Sequence, residues 1–562
     1  SKKMPHVSAE LFANKTSVFL KAQDGTGLSI DKAKDDFSTL TDSETSKFDT
    51  SGFKKHGTIY GLFGIIKLLA GSYLVVISQR ELVGKIGNNN IYKVKSANLV
   101  PFHKLNTLKK SQKRDEREYI KLLNYTLKKN YFYFSYTYDL TRSLAANHQT
   151  KGNSASSLWK SMNPEFCWNN QLAKPLMTNG LDDWIIPIMR GFCKIAVGNI
   201  NGKKFSFALI SRKSIYRSGT RYNTRGVDDA GHVANFAENE QLCIVEGGNT
   251  YSYMQIRGSV PIYWSQFADI TYKPLVKADR ADASEQKQIY GFNEHFKQII
   301  KTYGNIVSIN LVNKTGKEQT LEATYSAFMK KQDPKKAKYV HFDFHHECKG
   351  MKFYKVYSTL CKTLEKDIAD QGYYSSSNAG KIITTQSGVM RNNCADCLDR
   401  TNVVQSALGR LALDDQLIKA GVLKTNGSIF DKANSAFAFI FKNVWADNAD
   451  ALSVLYSGTP ALKTDFTRTG KRTYWGTLMD GYHSLQRYYM NNFKDGARQD
   501  AYNLFLGYYV VKPYNKSPFK SVASAKAMFT IVKFGIMVGF AMFLSNTYYY
   551  TKGDKSVRSL KQ

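Results

Sequence analysis

The sequence predicts an α/β domain built round a Cys-x5-Arg loop, a β-rich N-terminal domain before it and a C-terminal hydrophobic span after it. Three observations carry this expectation. Residues 388–405 read G-V-M-R-N-N-C-A-D-C-L-D-R-T-N-V-V-Q, a tight polar loop between apolar Ile382-Ile383 and a helical pattern of Val403, Val404, Leu408 and Leu411. Two apolar, β-branched runs within 58–77 meet at Gly71-Ser72, a hairpin signal. Residues 527–544 are apolar apart from Thr530 and Lys533, with Tyr548, Tyr549 and Tyr550 beyond them as an aromatic belt.

Composition narrows the class. At 562 residues with 43% hydrophobic and 22% charged content, the chain has the make-up of a globular protein of two or more domains. A net charge of +33 fits an anionic partner: a membrane surface, a phosphorylated lipid or nucleic acid. Seven scattered cysteines argue against a disulfide framework and for a reducing compartment. The first ten residues lack an apolar core, so no cleavable signal peptide is expected.

In chain order, a polar, weakly patterned stretch runs to about Lys55, and the hairpin follows. Residues 113–129 read as a helix with Tyr119, Leu123 and Leu127 on one face. The aromatic run 131–141 suits a buried strand better than a base-stacking platform for nucleic acid. Residues 147–157 read as a loop, and a domain boundary is placed near residue 180. The second domain opens at Trp184 and carries Arg212, Arg217, Arg221 and Arg225 among turn-forming glycines. A short strand at 339–344 leads into His345, His346, Glu347 and Cys348, which with His341 invite a metal reading. The spacing matches no ligand motif, so no metal is expected. Residues 351–367 read as a helix returning to the central strand. Asp447, Asn448 and Asp450 lack the bidentate glutamate of a calcium loop and are expected to pin loops. The resulting division is 1–180, 181–510, a basic linker 511–526, a transmembrane segment 527–547 and a short basic tail 548–562.

The loop carries the chemistry. Cys394 and Arg400 are separated by five residues, a loop large enough to wrap one tetrahedral oxyanion in backbone N–H groups at a helix N-terminus. Arg400 supplies a planar fork for two phosphate oxygens. A cysteine below such a positive nest becomes a thiolate nucleophile near neutral pH. Thr401 follows at once and can donate a hydrogen bond to the sulfur. The same Cys394-x-x-Cys397 also fits a redox pair or half a zinc site, though no second C-x-x-C follows.

The longer string R-x-N-C-x-D-C-L-D-R-T-N-V-V-Q, residues 391–405, resembles the signature of the Sac-domain phosphoinositide phosphatases. F-S-Y-T-Y-D-L-T at 134–141, R-S-G-T-R-Y-N-T-R-G at 217–226, Q-I-R-G-S-V-P-I-Y-W at 255–264, F-D-F-H-H-E-C at 342–348, the W-A-D-N-A-D block from 445 and D-G-A-R-Q-D-A-Y-N-L-F-L-G at 495–507 are similar to that family too. The resemblance is strongest to its membrane-anchored members of the endoplasmic reticulum and Golgi. Those carry two hydrophobic spans, where this chain shows one.

The resemblance implies an α/β catalytic domain with a phosphate-binding loop and a noncatalytic N-terminal domain. It implies hydrolysis of phosphatidylinositol 4-phosphate, and of other phosphoinositides, through a cysteinyl phosphate, without cofactor or metal. The alternative is a silent phosphoinositide-binding module. The implied catalytic residues are Cys394, Arg400, Asp399, Thr401 and Asp396. Asp399 is preferred as general acid because it adjoins Arg400, as in the similar loop of myotubularin-type lipid phosphatases. Substrate contacts are expected from Asn393, Ala395, Cys397 and Leu398 and from Lys463, Arg468, Lys471 and Arg472, with Asp343 and His345 bonding to the loop from outside. The implied partners are a phosphoinositide lipid and an anionic membrane surface, not nucleic acid. The implied location is the endoplasmic reticulum or Golgi membrane, with the catalytic domain in the cytosol.

Overall fold

The computed structural model describes residues 4–519 apart from 33, 35, 103–107, 150–156, 273, 279–284, 470–472 and 515–516, and beyond them 535, 537–539, 541, 542 and 545. Most of the expected span 527–547, all of the tail 548–562 and most of the expected loop 147–157 therefore lie outside the described residues. Among the described residues no helix is long and apolar enough to cross a membrane.

The stretch before Lys55 is more ordered than its pattern suggested. Strands β1 (Ala9–Ala13), β2 (Ser17–Ala22), β3 (Gly27–Asp31), β4 (Asp36–Leu40) and β5 (Lys54–Ile59) form an antiparallel sheet in the order β4-β3-β2-β1-β5. In β1, Ala9, Leu11 and Ala13 are buried while Glu10 and Phe12 are half-buried. Five residues with two alanines give a period-two signal too short and too weak to see in sequence.

The expected hairpin follows. Strands β6 (Leu62–Lys67) and β7 (Ser72–Ile86) pair antiparallel, with Leu68 N–H donating to Gly71 C=O across the turn. With β8 (Asn89–Pro101), β9 (Phe132–Phe134), β10 (Met189–Ile200), β11 (Lys203–Lys213), β12 (Ala237–Val245) and β13 (Thr250–Arg257) they build the antiparallel part of a thirteen-stranded sheet. The sheet runs unbroken past residue 180, since β9 pairs with β10. The 131–141 aromatics are core: Phe132, Phe134, Tyr136 and Tyr138 are buried, which leaves them no face to stack bases on. Tyr119, Leu123 and Leu127 lie on the buried face of the Lys110–Leu127 helix.

A small hairpin, β14 (Trp264–Ser265) with β15 (Lys277–Ala278), interrupts before the parallel part. There β16 (Asn305–Asn310), β17 (Ala337–His341) and β20 (Gly388–Asn393) run parallel in the order β17-β16-β20-β13. Strands β18 (Tyr374–Ser376) and β19 (Ile382–Thr384) hang off the edge of β13. The strand expected at Ile382-Ile383 is therefore the exposed β19, and the strand that feeds the loop is β20. The 351–367 segment is helical but broken, into a π-helical turn Val356–Cys361 and a helix Glu365–Gln371.

Helices cover both faces of this parallel part, as its burial demands. Ile256, Ile306 and Val389 face Phe292, Phe296, Leu321 and Tyr325 from the Glu285–Tyr303 and Gln319–Met329 helices. Tyr253, Val307, Ile309 and Met390 face Val404, Leu408, Phe441 and Trp445 from the Asp399–Lys419 and Ser435–Ser457 helices. Alternate residues of one strand thus enter two cores. This sandwich fixes the end of β20 and the start of the Asp399–Lys419 helix, between which the loop is strung.

Candidate active site

All six residues of β20 are buried, flanked on both sides by parallel strands. Its polar end is held by side chains: Arg391 donates to His295 Nε2 (3.0 Å), Asn393 Oδ1 (3.1 Å) and Ser259 C=O (2.9 Å), while Asn393 donates to Asn310 Oδ1 (2.7 Å). From there the chain turns through 394–398 into the helix at Asp399. Cys397 adopts φ +52°, in the left-handed region that costs a non-glycine residue energy. Arg257 holds that bend by donating to the carbonyls of Cys397 and Leu398 (the latter at 3.0 Å).

The bend directs groups onto one sulfur. Cys394 Sγ accepts the Cys397 N–H at 2.8 Å and faces Thr401 Oγ1 at 3.5 Å. Burial alone would raise the Cys394 thiol. The Cys397 hydrogen bond, the Arg400 charge and the Thr401 hydroxyl outweigh it and hold Cys394 below the ordinary thiol value. Cys397 moves the other way: burial and its neighbour's charge push it well up, and its Sγ donates to Gly258 C=O at 2.7 Å. The two sulfurs are thus set apart, Cys394 toward the thiolate and Cys397 toward the thiol.

The two carboxylates of the loop have opposite surroundings. Asp396 is gripped by Arg221, through Nε to Oδ1 (3.0 Å) and Nη2 to Oδ2 (2.7 Å), and by Arg225 at 2.7 Å. Although burial opposes it, these two guanidiniums hold Asp396 far below the usual carboxylate range. Asp399 accepts the Leu462 N–H at 3.1 Å, and Arg487 stands 3.9 Å away. Burial prevails over those partners and raises Asp399. Asp399 is thus the carboxyl suited to hold a proton, and Asp396 the one kept charged.

The Arg400 fork meets a carboxylate. Nη1 and Nη2 donate to the two oxygens of Glu318 at 2.9 and 2.7 Å, and Nη1 also donates to Leu311 C=O at 2.9 Å. Glu318 here offers the fork the same paired oxygens that a phosphate would. The loop, Glu318, Lys463, His345 and Lys317 line a cleft of about 630 Å³. Behind the loop, buried Lys213 donates to Asn235, whose amide donates to Asp396 C=O at 3.0 Å. Burial, with Arg190 and Arg257 nearby, pushes Lys213 down to about 7.

Of the remaining expected site residues, Ala395 and Leu398 line the cleft, and Arg225 donates to Ala395 C=O at 2.8 Å. Lys463 lines it too, whereas the Arg468 guanidinium is engaged by Asp447 (2.7 Å), Asp450 (3.1 Å) and Asn443 (2.8 Å). Lys471 and Arg472 lie outside the described residues. Asp343 and His345 bond to the 313–314 segment, Asp343 to Lys314 N–H and His345 to Asn313 Oδ1, instead of to the loop. His341 bonds Val312 C=O at 2.8 Å, and among the described residues no group of three or more potential ligands is gathered for a metal. Asn448 bridges Asn402 and Ser211, so this segment pins helices together.

Sequence reasoning pointed to four arginines without sorting them. Arg221 and Arg225 serve the loop, while Arg212 is buried against Glu240 and Leu140 C=O, and Arg217 bonds Arg225 C=O. Glu318 and Arg487 were missed altogether. Glu318 lies 82 residues from Arg400, and a glutamate in a polar turn carries no local signal.

Comparison with known proteins places the chain in a family. The SacI homology domain model matches residues 60–349. A Drosophila melanogaster protein named phosphatidylinositol-3-phosphatase SAC1 is 39% identical, covering 86% of this chain and 81% of its own. The Saccharomyces cerevisiae protein of that name is 40% identical over 82% of this chain and 74% of its own. Phosphoinositide phosphatase SAC7 of Arabidopsis thaliana is 37% identical over 95% and 89%. The chain belongs to the Sac-domain family. Among solved structures, a Legionella phosphoinositide phosphatase aligns with a TM-score of 0.26 and 8% identity over 50% of this chain and 39% of that one, a likeness too slight to argue from.

Proposed function

We propose that this chain is a phosphoinositide phosphatase that removes the phosphate of phosphatidylinositol 4-phosphate and related monophosphates through a phosphocysteine on Cys394. The observation that carries the reading is the Cys394 sulfur, reached by the Cys397 amide and the Thr401 hydroxyl at the N-terminus of a helix that also presents Arg400. The names of the fly and yeast relatives make the 3-phosphate the first isomer to compare.

The chemistry follows from the groups present. The Cys394 thiolate attacks phosphorus, the bond to the inositol oxygen breaks, and Asp399 gives that oxygen its proton. Arg400 exchanges the Glu318 carboxylate for two phosphate oxygens, and the loop amides take the charge that builds up on the equatorial oxygens. Water then hydrolyses the phosphocysteine, with Asp399 now receiving a proton and the thiolate leaving under the Thr401 hydroxyl. Asp396, locked to Arg221 and Arg225, shapes the loop and transfers no proton. Lys463 at the rim suits the inositol phosphates. No step calls for a metal or cofactor.

Membrane anchoring through 527–544, with the catalytic domain in the cytosol at the endoplasmic reticulum or Golgi, is part of the proposal. The basic linker before that segment and a substrate held in the cytosolic leaflet support it. All seven cysteines are free and buried, which suits a reducing compartment.

Phosphate release from a panel of mono- and bisphosphorylated inositol lipids tests the reading. We expect Cys394→Ser and Arg400→Ala to be nearly inactive, Cys397→Ser to keep substantial activity because its hydroxyl still donates, and a chelator to change little. Strong loss with the chelator, or full activity in Cys394→Ser, would overturn the mechanism. A wild type that binds these lipids and releases no phosphate would leave a binding module.

A further inference from the structure

Exposed apolar and aromatic side chains that water should not favour stand next to residues that line the cleft. Phe267 follows cleft-lining Gln266, Leu275 lies between cleft-lining Pro274 and Val276, and Tyr354 follows cleft-lining Phe353; the three are 57–67% exposed. Ile270 rests on the C-terminal end of the Tyr474–Phe493 helix: Tyr488 Oη donates to Ile270 C=O at 2.5 Å and Ile270 N–H to Asn492 Oδ1 at 3.3 Å. Ile270 itself is 65% exposed. That helix starts beside the rim, because Thr473 donates its N–H and hydroxyl to Asp465, in the segment whose Thr464 and Thr467 line the cleft. Its second residue, Trp475, is 71% exposed, and Met479 and Tyr482 continue the same exposed face at i+4 and i+7. Single exposed apolar residues are ordinary; several placed around one anion-binding mouth call for a partner.

We propose that this rim, formed by Phe267, Ile270, Leu275, Tyr354 and Trp475, docks the mouth of the cleft onto the lipid bilayer. The inference rests on the phosphoinositide reading above. Its first argument is reach: Cys394 is 2% exposed at the base of the cleft, and a headgroup tethered to a bilayer can enter only if the mouth lies against the surface. Its second is charge: Lys317 and Lys463 line the mouth and match an anionic leaflet, while the aromatic and aliphatic chains around them suit the headgroup boundary. The rim also separates catalysis on a membrane from catalysis on the same headgroup in water.

The test uses the full chain and two readouts. In the first, wild type is compared with the triple substitution Phe267→Ser, Leu275→Ser, Trp475→Ser. The substrates are phosphatidylinositol 4-phosphate in phosphatidylcholine/phosphatidylserine vesicles and its water-soluble dibutanoyl analogue. Loss of three inserted side chains should cut the vesicle rate by roughly tenfold or more while leaving the soluble rate within about twofold. Equal losses on both substrates, or none on either, would overturn the proposal. The second readout is Trp475 emission, isolated as the difference between wild type and Trp475→Phe, with vesicles of brominated phosphatidylcholine. Quenching is expected. Its absence in an active enzyme would overturn the proposal and give the rim to a protein partner. Quenching in a wild type inactive on both substrates would keep the docking surface and remove the phosphatase reading.

Discussion

Asp396 and Asp399 stand three residues apart, and their neighbours divide the work between them. Raised by burial, Asp399 can carry the proton that the inositol oxygen needs; held down by Arg221 and Arg225, Asp396 cannot. Asp399→Asn should slow lipid hydrolysis by roughly 10²-fold or more and spare an activated aryl phosphate, whose leaving group needs no proton. Equal losses on both would make the residue structural. The pH profile follows from the same two groups. Activity should rise as Cys394 deprotonates, below the ordinary thiol value, and fall as pH climbs through the raised Asp399 value. Asp399→Asn should erase the falling limb and keep the rising one. Removing one partner of the Asp396 cluster exposes the other's cost: Arg221→Ala should destabilise the fold by about 1.5–3 kcal/mol in urea melts near neutral pH. Asp396 has a depressed folded value, so its contribution is fully present above the unfolded value of about 3.9 and is lost only as pH falls below it. The deficit of Arg221→Ala should accordingly stay constant from neutral pH down to about 4 and shrink below that.

At the scale of the element, strand, loop and helix were legible as a unit, and the strand was misplaced. Ile382-Ile383 drew attention because it is apolar. The strand that matters reads Gly-Val-Met-Arg-Asn-Asn, and hydrophobic periodicity sees little in it. Arg391, Asn392 and Asn393 are fully buried. Arg391 and Asn393 tolerate that because His295, Ser259 and Asn310 bond to them, partners that only tertiary structure supplies. The loop itself was readable because its residues are chosen for chemistry and follow one another in sequence. Its supports were not: Arg221 was singled out among four arginines without its partner, and Arg257, Lys213 and Glu318 come from distant segments. Helix placement depends on close approach at Gly409, where an added Cβ would meet Gln241 Oε1 at 2.8 Å and the Trp445 ring at 3.0 Å. Gly409→Val should push the helix off the sheet, cost about 1–3 kcal/mol in urea melts, and lower kcat with it by displacing Arg400 and Thr401. A stable variant with unchanged kcat would show that the helix can shift without moving the loop.

For the whole molecule, the N-terminal sheet was hidden in short strands of small residues, whereas the β6–β7 hairpin and the Lys110–Leu127 helix announced themselves. Near the end of the described fold, Val511 is buried, Tyr514 bonds to Asp115 (3.1 Å) and Phe519 packs edge-on against Tyr119. Truncation after Phe519 keeps these contacts and should give a protein that is active on dispersed substrate and released from membranes by alkaline carbonate. Continued membrane fractionation of that truncation would refute anchoring by 527–544. The most direct measurement is acid quench of the full chain during turnover of a phosphatidylinositol monophosphate, followed by mass spectrometry of the peptide that contains Cys394 and Cys397. The account predicts one added phosphoryl group on Cys394, absent in Cys394→Ser; a phosphoryl group on Cys397, or turnover with neither sulfur modified at any quench time, would contradict it.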